Sequence, residues 1–236
     1  MAGKTNLPSN RSSSGDIAAF LQTAARTPAL SQVKGRLIFA VDATMSRQPT
    51  WDRAAEIQTD MFEVAQSIGG LGVQLVYFRG RGEFDVSEWT TSARALAQRM
   101  TGVTCRSGFT QLRRVLSHAG EEARRTKVGA LVYVGDSVEE NAQAIAKQAG
   151  LLALLGVPAF MFHEGYDSNA EAVFREVARL THGVYAHFDT GSAKQLRELL
   201  QAAAVYAAGG APALKDYGDR LGGDVLRLAR AMRHEG

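Results

Sequence analysis

The chain has 236 residues, of which 45% are hydrophobic, and this length and apolar content suit one globular domain with extensions. It carries 27 Lys and Arg against 24 Asp and Glu, so the net charge of +3 is nearly balanced and gives little support for a nucleic-acid-binding surface. A single cysteine, Cys105, excludes an internal disulfide, and no stretch of the sequence approaches membrane-spanning length.

The first 33 residues precede the predicted domain. Residues 1–15 are rich in Ser, Asn and Gly, show no apolar period and lack the apolar segment of a signal peptide, so we predict a disordered tail on a cytoplasmic protein. Residues 16–33 are predicted to form a short helix, Ile17 to Arg26, followed by a linker that starts at Pro28.

Short apolar runs alternate with helical periods over residues 34–207. The runs predict strands at residues 36–41, 73–78, 83–89, 130–134, 157–162 and 183–188. Spacings of three and four predict helices at residues 54–68, 112–123, 142–152, 170–180 and 193–207. Gly80-Arg-Gly82 is typical of a hairpin turn, which makes 83–89 an antiparallel edge strand. The alternation predicts an α/β, doubly wound, mostly parallel sheet with helices on both faces.

Residues 208–236 are predicted to be a C-terminal helical extension, because apolar residues recur there at spacings of three and four. Gly218, Gly222 and Gly223 weaken this helix by about 1 kcal/mol each, so it needs a surface to dock on. Packing onto its own domain is favoured over binding a partner or a second copy, and the sequence leaves both open.

The exit of the first predicted strand carries Asp42, Thr44 and Ser46, spaced two apart. Residues at this spacing can converge once the chain curls out of a strand, and a donor set made only of oxygen suits a hard cation such as Mg²⁺. The alternative is a turn or helix cap made by the same side chains.

Two later segments bring further oxygen donors to the same edge of the predicted sheet. Thr110 ends the loop Arg106-Ser-Gly-Phe-Thr110 before a helix, and Asp136 follows the buried strand Leu131-Val-Tyr-Val-Gly135. In a doubly wound sheet, ligands bind outside the carboxyl ends of the strands, where Asp42 and Asp136 both fall.

This ordered set resembles the metal-ion-dependent adhesion site of von Willebrand factor A domains, over roughly residues 34–207, and the chain is similar to intracellular, bacterial-type stand-alone members. The family has serine where Thr44 stands, and threonine keeps the hydroxyl. The resemblance implies that the metal site consists of Asp42, Thr44, Ser46, Thr110 and Asp136.

The resemblance also implies a function. In this family the cation, Mg²⁺ by preference or Mn²⁺, bridges the domain to an Asp or Glu of another protein, and no bond is broken. We therefore expect a non-catalytic adaptor whose partner belongs to chaperone or AAA-type ATPase machinery. The residues expected to form a partner-binding rim around the metal are Arg47, Arg106, His163, Glu164 and Asp167.

Other functions fit the sequence less well. A haloacid-dehalogenase-type phosphohydrolase needs a carboxylate where Thr44 stands, a receiver domain needs an acidic pair ahead of its phosphoacceptor aspartate, and no Gly-x-x-x-x-Gly-Lys loop is present. An RNA-associated module of the Ro type remains an alternative. The balanced charge and the lack of a helical-repeat ring count against this function. His182 and His187 read as strand-end histidines, since one cysteine does not supply a usual zinc set.

Overall fold

A six-stranded sheet organises the part of the chain that the computed structural model describes, residues 30–189 and 192–232. The predicted tail 1–15 and the helix 17–26 lie outside the described residues. The strands are β1 (Gly35–Asp42), β2 (Leu71–Arg79), β3 (Glu83–Val86), β4 (Ala130–Gly135), β5 (Ala159–Glu164) and β6 (Val184–Phe188). Their order across the sheet is β3-β2-β1-β4-β5-β6, and every pair is parallel except β2 with β3. The predicted fold class is confirmed.

Helices cover both faces of this sheet. A short 3₁₀ helix, Met45–Arg47, precedes the α-helices, which are α1 (Gln48–Ile57), α2 (Thr59–Gln66), α3 (Ala93–Thr101), α4 (Leu112–Arg125), α5 (Ala142–Ala153), α6 (Ser168–Leu180), α7 (Ala193–Leu221) and α8 (Gly223–Ala231). The central strands are buried on both sides: Phe39 lies in the core beneath α1, α2 and α7, whereas Ile38 lies in the core beneath α4, α5 and α6. Because both faces of these strands are buried, nearly every residue in them is apolar.

The region between β1 and α4 differs from the prediction in its helices and in β3, which ends at Val86 instead of residue 89. The helix expected at 54–68 is broken at Gln58, a buried residue whose Nε2 donates to the carbonyl of Ala93 at 3.0 Å. Helix α3 was not predicted, because it buries only Leu96 and Met100 and so shows little apolar period. Ser92 caps its first turn.

The C-terminal segment is part of the same fold. Helix α7 bends at Gly210, whose φ of 70° and ψ of −167° are not helical, two residues before Pro212. Beyond the bend, Leu214 and Leu228 are buried in the core that lies under α1 and α2. The extension therefore packs onto its own domain. No helix within the described ranges is both long and apolar enough to cross a membrane.

Candidate metal site

The pairing of β1 with β4 brings the two strand-end aspartates to one place. Val41 lies opposite Val134 in the parallel register, so Asp42 ends β1 beside the residues that lead into Asp136. Asp42 is fully buried, whereas Asp136 is half-buried. The negative charge of Asp136 contributes to the raised pKa of Asp42, which is expected of neighbouring carboxylates.

The carboxylate of Asp42 is only half satisfied. Its Oδ1 accepts the backbone N–H of Thr44 at 2.8 Å, while its buried Oδ2 has no hydrogen-bond partner among the described residues. Burial raises the pKa of Asp42 from 3.8 to about 6, against the hydrogen bond from the Thr44 N–H and the nearby charge of Arg47, which lower it. A buried carboxylate oxygen without a donor is costly, and a bound cation would compensate it.

Ser46 joins the two strand ends. Its exposed hydroxyl donates to Oδ2 of Asp136 at 2.9 Å, across the gap between the β1 and β4 exits. Thr44, which lies between Asp42 and Ser46, is buried. The structure thus places four of the five predicted ligands together.

Thr110, the fifth predicted ligand, lies on a loop that is docked onto the β1 exit. The N–H of Arg106 donates to the carbonyl of Ala43 at 3.0 Å, and a Cβ at Gly108 would lie 2.1 Å from the carbonyl oxygen of Gly80. This close approach holds the loop against the β2–β3 hairpin. Thr110 itself is buried.

The sequence analysis missed Glu139, which binds Thr110. The hydroxyl and the N–H of Thr110 donate to Oε2 of Glu139 at 2.8 Å and 3.0 Å. The signal available in the sequence was the acidic pair Glu139-Glu140, which directly follows Asp136-Ser-Val. An acidic side chain at this edge of the sheet lies within reach of the same loops.

Three members of the predicted rim are buried, and the prediction of an exposed rim is corrected for them. Arg47 and Glu164 form an ion pair with side-chain exposures of 1% and 5%, and Thr50 also donates to Glu164. His163 is buried, with Nδ1 3.0 Å from the Tyr185 hydroxyl. His163 and Glu164 are buried because β5 ends at Glu164, two residues later than predicted, so both are strand residues. Arg47 is buried through its ion pair with Glu164.

The other two rim residues are exposed and already bound. Asp167 caps α6 through a hydrogen bond from the N–H of Ala170 at 2.6 Å, and Arg106 pairs with Glu83 at 3.2 Å. Two large apolar side chains are exposed beside the site. Met45 and Phe109, which we call the apolar rim, are 62% and 66% exposed on the two loops that carry Thr44, Ser46 and Thr110.

Comparison with known proteins gives structural likeness without sequence likeness. No family model matches the chain, and no curated protein matches it. The VWA domain of SpRpn10 superposes with a TM-score of 0.56 at 11% identity, covering 75% of this chain and 98% of that one. An aerotolerance-related membrane protein from Bacteroides fragilis gives a TM-score of 0.54 at 14% identity, covering 72% and 98%. The chain has the von Willebrand factor A fold.

A third structure with this fold carries a metal. Proximal thread matrix protein 1 from the mussel byssus, with a zinc-occupied MIDAS motif, matches with a TM-score of 0.51 at 15% identity. The match covers 73% of this chain and 46% of that protein. Within the von Willebrand factor A fold, a divalent cation is therefore bound by at least one protein.

The donors of this chain fit a hard cation. No group of three or more His, Cys, Asp and Glu side chains suited to a metal occurs among residues 30–189 and 192–232. A site at this edge would therefore combine the carboxylates of Asp42 and Asp136 with hydroxyls, and oxygen donors of both kinds suit Mg²⁺ or Mn²⁺. The unpartnered Oδ2 of Asp42 is the observation that favours a cation over an ordinary turn.

Proposed function

We propose that this protein is a non-catalytic, divalent-cation-dependent protein-binding module. Its cation would be Mg²⁺ or Mn²⁺, and its partner would contribute an Asp or Glu side chain. The observation that carries the proposal is the buried Oδ2 of Asp42, which lacks a hydrogen-bond donor in the described structure and lies where the β1 and β4 loops meet. The ligands we assign are Asp42, Thr44, Ser46, Thr110 and Asp136.

The balance of charge among these residues supports binding of an external carboxylate. Three of the five proposed ligands are neutral hydroxyls and only Asp42 and Asp136 carry charge, so these ligands at most neutralise a divalent ion and add no excess negative charge that would repel a further carboxylate. When bound, the cation supplies a coordination position that a carboxylate can fill. Ser46 is exposed, which leaves the site open to a partner from the solvent side.

The apolar rim supports a protein as the partner. Met45 and Phe109 expose large apolar side chains on the two segments that carry the hydroxyl ligands, and the Ser107 hydroxyl lies 3.8 Å from the Met45 sulfur, so the two segments are in contact. Exposed apolar side chains gathered around a polar centre are typical of protein interfaces. A partner segment with an apolar residue beside its acidic residue would fit this surface.

A catalytic function finds less support. The single thiol of the chain, Cys105, has its pKa raised to about 11 by burial, so it is a poor nucleophile at neutral pH. Asp136 accepts a hydrogen bond from Ser46, and Glu139 accepts one from Thr110. Both carboxylates are therefore used to orient hydroxyl groups.

Selection of a random peptide display library on the immobilised protein tests this proposal. In Mg²⁺ we expect enriched peptides to share an Asp or Glu next to an apolar residue, and we expect their binding to be reversed by EDTA and lost with Asp136→Ala. Phe109→Ser should weaken binding, whereas Leu154→Ser, at an 84% exposed position after α5, should not. Peptide binding that survives EDTA and Asp136→Ala would contradict the proposal.

A further inference from the structure

A series of close polar contacts links two of the proposed ligands, Ser46 and Thr110; in its middle, the single proton of the Ser137 hydroxyl is donated to either of two carboxylates. Ser46 donates to Asp136 at 2.9 Å, and the Ser137 hydroxyl lies 3.3 Å from Oδ1 of Asp136 and 3.4 Å from Oε1 of Glu139. Oε2 of Glu139 then accepts the Thr110 hydroxyl at 2.8 Å. Each of the two hydroxyl ligands at the ends of this series therefore donates its proton to a carboxylate of the β4–α5 loop.

The bonds to Glu139 fix the orientation of Thr110. A hydroxyl has one proton and two lone pairs. In Thr110 the proton is directed at the Glu139 carboxylate, and one lone pair accepts the backbone N–H of Glu139 at 3.2 Å. The N–H of Thr110 binds the same carboxylate at 3.0 Å, so the loop backbone is held as well. One lone pair of the Thr110 oxygen remains for a further contact.

We propose that Glu139 is a positioning residue of the cation site, acting through Thr110; this inference rests on the proposed function. By accepting the Thr110 proton, Glu139 makes the hydroxyl oxygen more electron-rich and sets the direction of its free lone pair. Groups that orient metal ligands in this way strengthen metal binding. The buried and unpartnered Oδ2 of Asp42 provides independent evidence that the oxygens gathered here lack a ligand.

The neighbouring Glu140 has a different task and provides a matched control. Its carboxylate accepts the N–H groups of Leu112 and Arg113, the latter at 3.2 Å, and thereby caps the first turn of α4. Replacing Glu139 or Glu140 removes the same charge from the same loop. Only Glu139 touches a proposed ligand.

The experiment is a calorimetric titration of Mn²⁺ into the chelator-stripped protein. We expect Glu139→Ala to weaken Mn²⁺ binding about 10- to 100-fold, as removal of such orienting groups typically does. Glu139→Gln, which keeps an acceptor for Thr110, should lose less. Glu140→Ala should leave the affinity within about twofold while lowering the melting temperature in EDTA, since it removes a cap. Glu139→Ala should also lower the melting temperature in EDTA, because it leaves the hydroxyl and the N–H of the buried Thr110 without their acceptor, so the affinity for Mn²⁺, not the stability, distinguishes the two variants.

A double-mutant cycle with Thr110→Val separates positioning from simple charge. If Glu139 acts through Thr110, adding Glu139→Ala to Thr110→Val should cost little further affinity. Additive losses, equal losses from Glu139→Ala and Glu140→Ala, or wild-type affinity in Glu139→Ala would overturn the inference while leaving the proposed function intact. A wild-type protein that binds no Mn²⁺ would overturn both.

Discussion

At the scale of single residues, the buried carboxylate of Asp42 lowers the stability of the cation-free protein while it provides a ligand for the proposed cation. Its carboxylate is fully buried, and only one of its oxygens has a hydrogen-bond donor. Burial is the main reason that its pKa rises from 3.8 to about 6. A residue whose only task was to shape a turn could be an asparagine at lower cost, because the amide carries no charge to bury.

We expect Asp42→Asn to stabilise the cation-free protein at high pH. Since the folded-state pKa lies above the ordinary value, the contribution of Asp42 to the stability of the wild type is greatest below about pH 4 and is lost as pH rises through 6. A shift from 3.8 to about 6 corresponds to about 3 kcal/mol. In EDTA the variant should therefore exceed the wild type by about this free energy of unfolding at pH 8 and by much less at pH 4.

Urea unfolding of both proteins at a series of pH values measures this difference. Asp216→Asn, at an exposed position, is the matched control and should follow the wild-type curve. Addition of Mg²⁺ should reverse the order of stability at pH 8, because only the wild type would bind it tightly. Parallel curves for the wild type and Asp42→Asn in EDTA would show that the burial of Asp42 carries no such cost.

At the scale of elements, the site depends on how closely the Thr110 loop approaches the β2–β3 hairpin. Gly108 lies against the backbone of Gly80, and a Cβ there would come within 2.1 Å of the Gly80 carbonyl oxygen. A side chain at position 108 would fit only if the loop of Gly108 or the hairpin of Gly80 moved. The position of Thr110 is therefore coupled to the hairpin through a contact that requires glycine.

Gly108→Ala should displace the Thr110 loop and weaken Mn²⁺ binding at least tenfold, a loss comparable to that caused by removing a group that orients a ligand. The matched control is Gly150→Ala, because a Cβ at Gly150 in α5 would contact nothing within 4 Å. Alanine there should raise the melting temperature slightly, as glycine is a poor helix former. Calorimetric titration with thermal melting of both variants makes the comparison; unchanged affinity in Gly108→Ala would mean that the loop adapts.

The elements also show how far the sequence is informative. The ends of β1 and β4 follow from short apolar runs, so the meeting of Asp42 with Asp136 was predictable from the order of strands. The burial of His163 and Glu164 was not, because polar residues at a strand end look the same whether they continue the strand or leave it. The contact of Glu139 with Thr110 depends on the path of two loops, which apolar periodicity does not describe.

At the scale of the whole molecule, the C-terminal extension is a structural part of the domain. Leu228 in α8 is 3% exposed and lies in the core shared with β1 and α7, whereas Leu221, at the end of α7, is 56% exposed. Of the three glycines that weaken this segment as an isolated helix, Gly222 and Gly223 lie at the turn between α7 and α8 and have positive φ, whereas Gly218 is buried within α7. Packing onto the domain compensates for their poor helix propensity.

Leu228→Ala should lower the free energy of unfolding by about 2–5 kcal/mol, the usual cost of removing a buried leucine side chain. Leu221→Ala is the matched control and should change it by less than about 0.5 kcal/mol, as exposed substitutions do. Denaturant unfolding in EDTA measures both without interference from bound cation. Equal and small effects would mean that α8 detaches easily and is free to dock elsewhere.

The measurement that bears most directly on the account is calorimetric titration of Mg²⁺ and of Mn²⁺ into the chelator-stripped wild type and Asp42→Ala. We predict saturable binding at one site in the wild type and its loss in the variant, with the variant still folded because Asp42 serves the cation more than the core. Binding that persists in Asp42→Ala would place the cation elsewhere, and a wild type that binds neither ion would contradict the account.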